Sequence, residues 1–109
     1  MAYDEELADR IRTEVQDVGA VTEMRMFGGL AFLVGGHMAV AASDRGLLLR
    51  VPPDRTEELA ALPHTDRFVM PGRTMKGWLR VEPGGIGSDE DLSRWVDIGV
   101  QYASSLPPK

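Results

Sequence analysis

No cysteine occurs among the 109 residues. Its absence excludes a disulfide framework, a thiolate nucleophile and a zinc site built on sulfur. Aromatic residues make up only 6% of the chain, so a core must be assembled from Leu, Val, Ile, Met and Ala. No run approaches the roughly 20 apolar residues that a membrane-spanning helix needs. The opening Met1-Ala2-Tyr3-Asp4-Glu5-Glu6 lacks a basic stretch followed by an apolar one, so no secretory leader is expected. A membrane is therefore not an expected partner, and the cytoplasm is the expected compartment. Positive charge is also scarce, with 12 Lys and Arg against 17 Asp and Glu and a net charge of −5. That balance repels a phosphate backbone at long range, so any nucleic-acid binding must rest on a local basic patch. Histidine is limited to His37 and His64. Neither has a second histidine or a carboxylate at metal-binding helical spacing, so no metal and no cofactor are expected.

What the chain does contain is an ordinary globular balance, 43% hydrophobic and 27% charged. At this length one domain over residues 1–109 is expected. A homodimer would add useful burial to so small a core. The organising stretch is Met24-Arg25-Met26-Phe27-Gly28-Gly29-Leu30-Ala31-Phe32-Leu33-Val34. It reads as the start of a sheet, with Gly28-Gly29 as a hairpin or bulge.

Before it, Asp4 caps a helix whose first turn carries Glu5 and Glu6, where negative charge suits the helix dipole. Leu7, Ala8, Ile11, Val15 and Val18 recur at helical spacing, and Gly19 is the expected stop. Strands follow at 21–27, 30–34, 37–42 and 47–51. Gly35-Gly36 is a two-residue turn, because both positions can adopt positive φ. Pro52-Pro53 ends the fourth strand. A short helix runs from Asp54 or Arg55 to Leu62, with Leu59 and Leu62 as its buried side chains. Two more strands are expected at 67–70 and 75–81. After a glycine-rich loop, Ser88 and Asp91 form a capping pair for a last helix. That helix carries Leu92, Trp95, Val96, Gly99, Tyr102, Ala103 and Leu106 on one face. The order is helix, three or four strands, helix, two strands, helix. It implies an α+β fold with a mainly antiparallel sheet of five to six strands and three helices.

Arg25-Met26-Phe27-Gly28-Gly29 after a capped helix resembles the N-terminal domain of the TfoX/Sxy family. Gly72-Arg73-Thr74-Met75-Lys76-Gly77-Trp78 resembles the second recurrent stretch of that family's stand-alone members. The resemblance covers nearly the whole chain, from Tyr3 to the closing Leu-Pro-Pro-Lys. It implies a dimeric, secretion-chaperone-like α+β fold and a regulator of competence, the uptake of DNA in bacterial transformation. Regulators of that kind usually carry a further helical domain, whose place would begin about where this chain ends. The resemblance brings no catalytic residues with it.

The local chemistry concentrates in Met75-Lys76-Gly77-Trp78-Leu79-Arg80-Val81. Strand alternation sends Met75, Leu79 and Val81 to one face and Lys76, Trp78 and Arg80 to the other. An indole flanked by cations can stack a base or hold an anion. The same indole can also pack under a helix or in a dimer interface, with the cations reaching to water. Arg73 and Arg67 belong to the same hairpin, and Arg50 alternates onto the polar face with Arg80. Arg25 suits either an ion pair with a helix acid or a ligand pocket. The candidate binding face is therefore Arg25, Arg50, Arg73, Lys76, Trp78 and Arg80. Met24, Met26, Met38, Met70 and Met75 suit either an adaptable partner surface or an irregular core.

Catalytic patterns are weak. Gly84-Gly85-Ile86-Gly87 precedes a helix, but it completes no dinucleotide or P-loop motif, and the acids at 89 to 91 would repel an anion. Ser43 lies in no nucleophile elbow. The expectation is a non-enzymatic regulatory or adaptor domain acting through protein contacts, with an unidentified protein and a second copy of itself as partners. The alternative is a nucleic-acid accessory module on the Lys76-Trp78-Arg80 face. A less favoured third is a small-molecule pocket or enzyme site around Arg25 and Arg50.

Overall fold

A computed structural model of the chain describes residues 4–19, 21–26, 29–43, 46–70 and 73–107, leaving out the side chains of 26, 68–70 and 73–76. Helix α1 spans Glu5–Val15. Asp4 caps it by accepting the Leu7 N–H at 3.1 Å, and Leu7, Ala8, Ile11 and Val15 form its buried face. The helix ends at Val15 rather than reaching the expected stop at Gly19. There the Val18 N–H donates to the Val15 carbonyl at 2.9 Å, and Val18 folds back against the core. Val18, partly buried, reaches the core from a turn rather than from the helix.

The strands are β1 Val21–Met26, β2 Gly29–Val34, β3 His37–Ser43, β4 Gly46–Arg50, β5 Thr65–Met70 and β6 Arg73–Val81. They form one six-stranded sheet in the order β1-β2-β3-β4-β6-β5, antiparallel at every junction. Helix α2, Thr56–Ala60, follows a 3-10 turn at Pro53–Arg55. Helix α3, Asp89–Ser105, is capped by Ser88, which accepts the Asp91 N–H at 3.1 Å. The architecture is α+β: four strands follow α1, and two lie between α2 and α3.

Several local details differ from the sequence expectation. A hairpin does join β1 and β2 at the expected place, and Gly29 closes it as the first residue of β2, opposite Met26; a Cβ there would collide with the Ala42 carbonyl oxygen. The glycine permits close strand approach, while positions 27 and 28 lie outside the described residues. Gly35 and Gly36 do take positive φ, 61° and 85°, as a tight hairpin turn demands. Leu62 is 44% exposed because α2 ends at Ala60, while Leu59 is buried. Strand β5 begins at Thr65, two residues before the expected start, directly after His64 at φ 62°.

Helices α1 and α3 pack side by side on one face of the sheet. Ile11 of α1 and Leu92, Trp95 and Val96 of α3 pack with Phe32, Val40, Leu47, Leu49, Leu79 and Val81 in one continuous core. The register between β2 and β3 slips after Phe32, leaving Ala39 as an extra residue in β3. Helix α3 crosses at that bulge. A Cβ on Gly99 would lie 2.5 Å from the Ala39 carbonyl oxygen and 2.9 Å from Val40 Cγ1. The opposite face carries Ala31, Leu33, Met38, Ala41 and Leu48, all buried, with Trp78 packed against them.

Candidate functional site

The second face of the sheet brings together three of the candidate residues, Arg50, Trp78 and Arg80. Its shape is set by a distortion in β6. Arg67 pairs with Leu79 and Val69 with Thr74, so residues 75 to 78 of β6 lie opposite Phe68 alone. Gly77 sits in that distortion at φ 87°, a conformation glycine adopts without steric cost. Its N–H donates to Thr56 Oγ1 at 2.9 Å, and the Thr56 hydroxyl donates to the Pro53 carbonyl at 2.9 Å. The Gly77 carbonyl accepts the Val51 N–H at 2.8 Å. These three bonds tie the bulge to the connection between β4 and α2.

The unbroken alternation expected from Met75 to Val81 therefore does not run through β6. The portion after Gly77 is regular: Trp78 pairs with Arg50, Leu79 with Leu49 and Arg80 with Leu48. Arg50, Trp78 and Arg80 thus share the face that Leu48 helps to build. Arg73 and Lys76 lie on β6, and their side chains are outside the described set.

Each described cation on this face has a partner within the chain. The Arg50 guanidinium stands 5.5 Å from the Trp78 ring centroid and 5.6 Å from that of Tyr102 on α3. Both separations fall within cation–π range. Arg80 Nη2 lies 3.8 Å from Asp66 Oδ2 on the neighbouring strand, while its buried Nε has no partner among the described residues. Arg67, which by its register with Leu79 belongs to the helix-covered face, pairs with Glu57 of α2. Trp78 is half-buried against the apolar cluster of the second face.

Arg25 belongs elsewhere. It lies on edge strand β1 opposite Leu30, which faces the helices, and it is exposed. Strands β2 and β3 separate it from Arg50, and the two residues point to opposite faces. A single pocket around both arginines is therefore excluded.

Sequence reasoning missed a second cluster, at the junction of α1 and β1. Arg12 donates from Nε to Glu23 Oε2 at 2.8 Å and from Nη2 to Glu23 Oε1 at 2.9 Å. Its third nitrogen, Nη1, reaches Asp9 at 2.5 Å. Hydrogen bonds from Arg12 hold the Glu23 carboxyl below the usual carboxylate range, and those to Glu23 and Asp9 raise the guanidinium pKa. Beside them is an open cleft of about 450 Å³, lined by Arg12, Val15, Gln16, Val18, Val21, Glu23 and Phe32. No spacing rule links a helix arginine to a strand acid 11 residues later, so this contact had no signal in the sequence. Tyr102 was legible as part of the apolar face of α3, but not as a partner of Arg50.

The histidines have structural surroundings. His37 Nε2 donates to the Pro107 carbonyl at 2.6 Å, and the His64 ring lies against Gly84, where an added Cβ would come within 3.1 Å. Among the described residues, no group of three His, Asp or Glu side chains is arranged to hold a metal ion. None of the described helices is long and apolar enough to cross a membrane. Met24 is 50% exposed and Met38 is buried; the side chains of Met26, Met70 and Met75 lie outside the described set.

The TfoX N-terminal domain family matches residues 13–103 of the chain. No curated protein and no solved structure matches it.

Proposed function

Because the chain belongs to the TfoX N-terminal domain family, we propose that it is a non-enzymatic regulatory or adaptor domain of the competence type. It acts in the bacterial cytoplasm, through contacts with a second copy of itself and with another protein. The observation that carries this reading is the state of the Trp78 face. A surface that stacks nucleic-acid bases needs an accessible ring and cations free to meet phosphates. Here Arg50 already lies against the Trp78 ring, and Arg80 faces Asp66. With those charges engaged internally, the face is better suited to a folded protein surface, where aromatic and Arg side chains are favoured anchors.

A pull-down from bacterial lysate tests this reading, using the natural chain and a Trp78→Ala/Arg80→Ala variant matched for folding by circular dichroism. The expected outcome is a specific protein retained by the natural chain, unaffected by nuclease and lost with the variant. Recovery that vanishes on nuclease treatment would replace this reading with the nucleic-acid one. Salt titration then provides a second check, because phosphate contacts weaken steeply as salt rises.

A further inference from the structure

We infer that the self-contact is made by the free edge of β1, which pairs antiparallel with β1 of a second copy about a two-fold axis at Met24. This rests on the proposal of self-association above and names the surface that performs it.

The two sheet edges are unlike each other. The pairing of edge strand β5 with β6 slips between Arg67 and Val69, and Arg67 and Asp66 on it are engaged by Glu57 and Arg80. An edge of irregular register whose charged side chains are already paired within the chain is a poor template for strand addition. Strand β1 pairs with β2 without a slip from Val21 to Met26, leaving a straight row of outward backbone groups. Thr22, Glu23, Met24 and Arg25 on that strand are all exposed. Met24 is one of the two large hydrophobic side chains most open to water among the described residues.

The sequence of this edge complements its own reversal. An antiparallel pairing centred on Met24 sets Glu23 opposite Arg25 of the second copy and Arg25 opposite its Glu23. The two thioethers meet at the centre. By their register with Phe32 and Leu30, Glu23 and Arg25 both belong to the helix-covered face, so the opposite charges meet on one side of the joined sheet. Opposite charges directly across antiparallel strands stabilise the pair, and like charges destabilise it. Arg12 contributes one hydrogen bond to each Glu23 oxygen, which leaves lone pairs on both for a further guanidinium. Asp9, Arg12, Glu23 and the incoming Arg25 then form a chain of alternating charge. On the other face, Met24 sits opposite Ala31, so the paired methionines extend the apolar cluster of Leu33, Ala41 and Leu48.

The test is a charge exchange, read by light scattering and sedimentation of the full chain at micromolar concentration. The natural chain is expected at a mass near twice the monomer's 12.0 kDa. Arg25→Glu alone sets Glu against Glu at both contacts, and Glu23→Arg alone sets Arg against Arg. Each single variant is expected to associate at least about tenfold more weakly. Mixing the two restores opposite charge at both contacts, so a heterodimer is expected. Glu23→Arg/Arg25→Glu is expected to self-associate again, which a misfolded variant would not do. A natural dimer unaffected by either single change, with no preference on mixing, would overturn the β1 edge and leave self-association standing elsewhere. A monomeric natural chain would overturn both.

Discussion

Arg12 grips Glu23 through two parallel hydrogen bonds, at 2.8 and 2.9 Å. A single guanidinium therefore fixes the outer strand of the sheet to the helix that begins the fold. The planar fork of arginine matches a carboxylate in a way that a lysine ammonium cannot.

Folding stability should register that grip on the acid side. The Glu23 carboxyl is held below its ordinary range by Arg12, so its contribution is complete above the pKa of the unfolded chain. It is lost as pH falls through the lower value of the folded state. Urea denaturation of the natural chain and Glu23→Gln should show a constant difference at neutral pH. That difference should begin to shrink near the ordinary glutamate value of about 4.3 and disappear at lower pH. A difference that persists undiminished in strong acid would place the stabilising charge elsewhere.

Gly99→Ala should destabilise the fold, against the usual preference for alanine in helices. The intrinsic gain of about 1 kcal/mol is opposed by a collision with the Ala39 carbonyl oxygen at 2.5 Å and Val40 Cγ1 at 2.9 Å. Because the obstacle includes backbone, α3 must move away from β3. A net loss of about 1–3 kcal/mol is expected from overpacking, measured by the shift in the denaturation midpoint.

Thr56→Val keeps the shape of a buried side chain and removes its hydroxyl. The Gly77 N–H then loses its acceptor in the interior, at a cost of about 1–3 kcal/mol. Thr56→Ser, which retains the acceptor, should lose less than Thr56→Val. Equal losses for the two would assign the effect to packing alone.

Arg50 and Trp78 should be energetically coupled. A double-mutant cycle with Arg50→Met and Trp78→Leu is expected to give a coupling of about 0.5–2 kcal/mol, the range for a partly shielded cation over an indole. Strict additivity would mean that the guanidinium spends its time in water.

The elements that could be read from the residues were those governed by local rules. Asp4 and Ser88 announce helix starts, Gly35-Gly36 announces a turn, and apolar runs mark β2 to β4. What could not be read depends on the rest of the molecule. Val18 continues the helical spacing of α1, yet the chain turns after Val15 and Val18 meets the core only partly buried. The Met75 to Val81 alternation looks regular, because no one-dimensional pattern reveals that Gly77 is held out of register by Thr56, 21 residues away. Arg25 and Arg50 both looked like members of one polar face; only the strand order and pairing separate them. The residues of the Trp78 face after the bulge were legible as a group, whereas their internal partners Tyr102 and Asp66 were supplied by tertiary packing.

Both ends of the described chain are fastened to the same strand. The Asp4 N–H donates to the Ser43 carbonyl at 3.3 Å, at the close of β3, and His37 at its opening holds the Pro107 carbonyl. A strand of seven residues extends for roughly 20 Å, so the two attachment points stand that far apart, at opposite rims of the sheet. Tension applied between Asp4 and Pro107 would run along β3 and load its flanking ladders in shear.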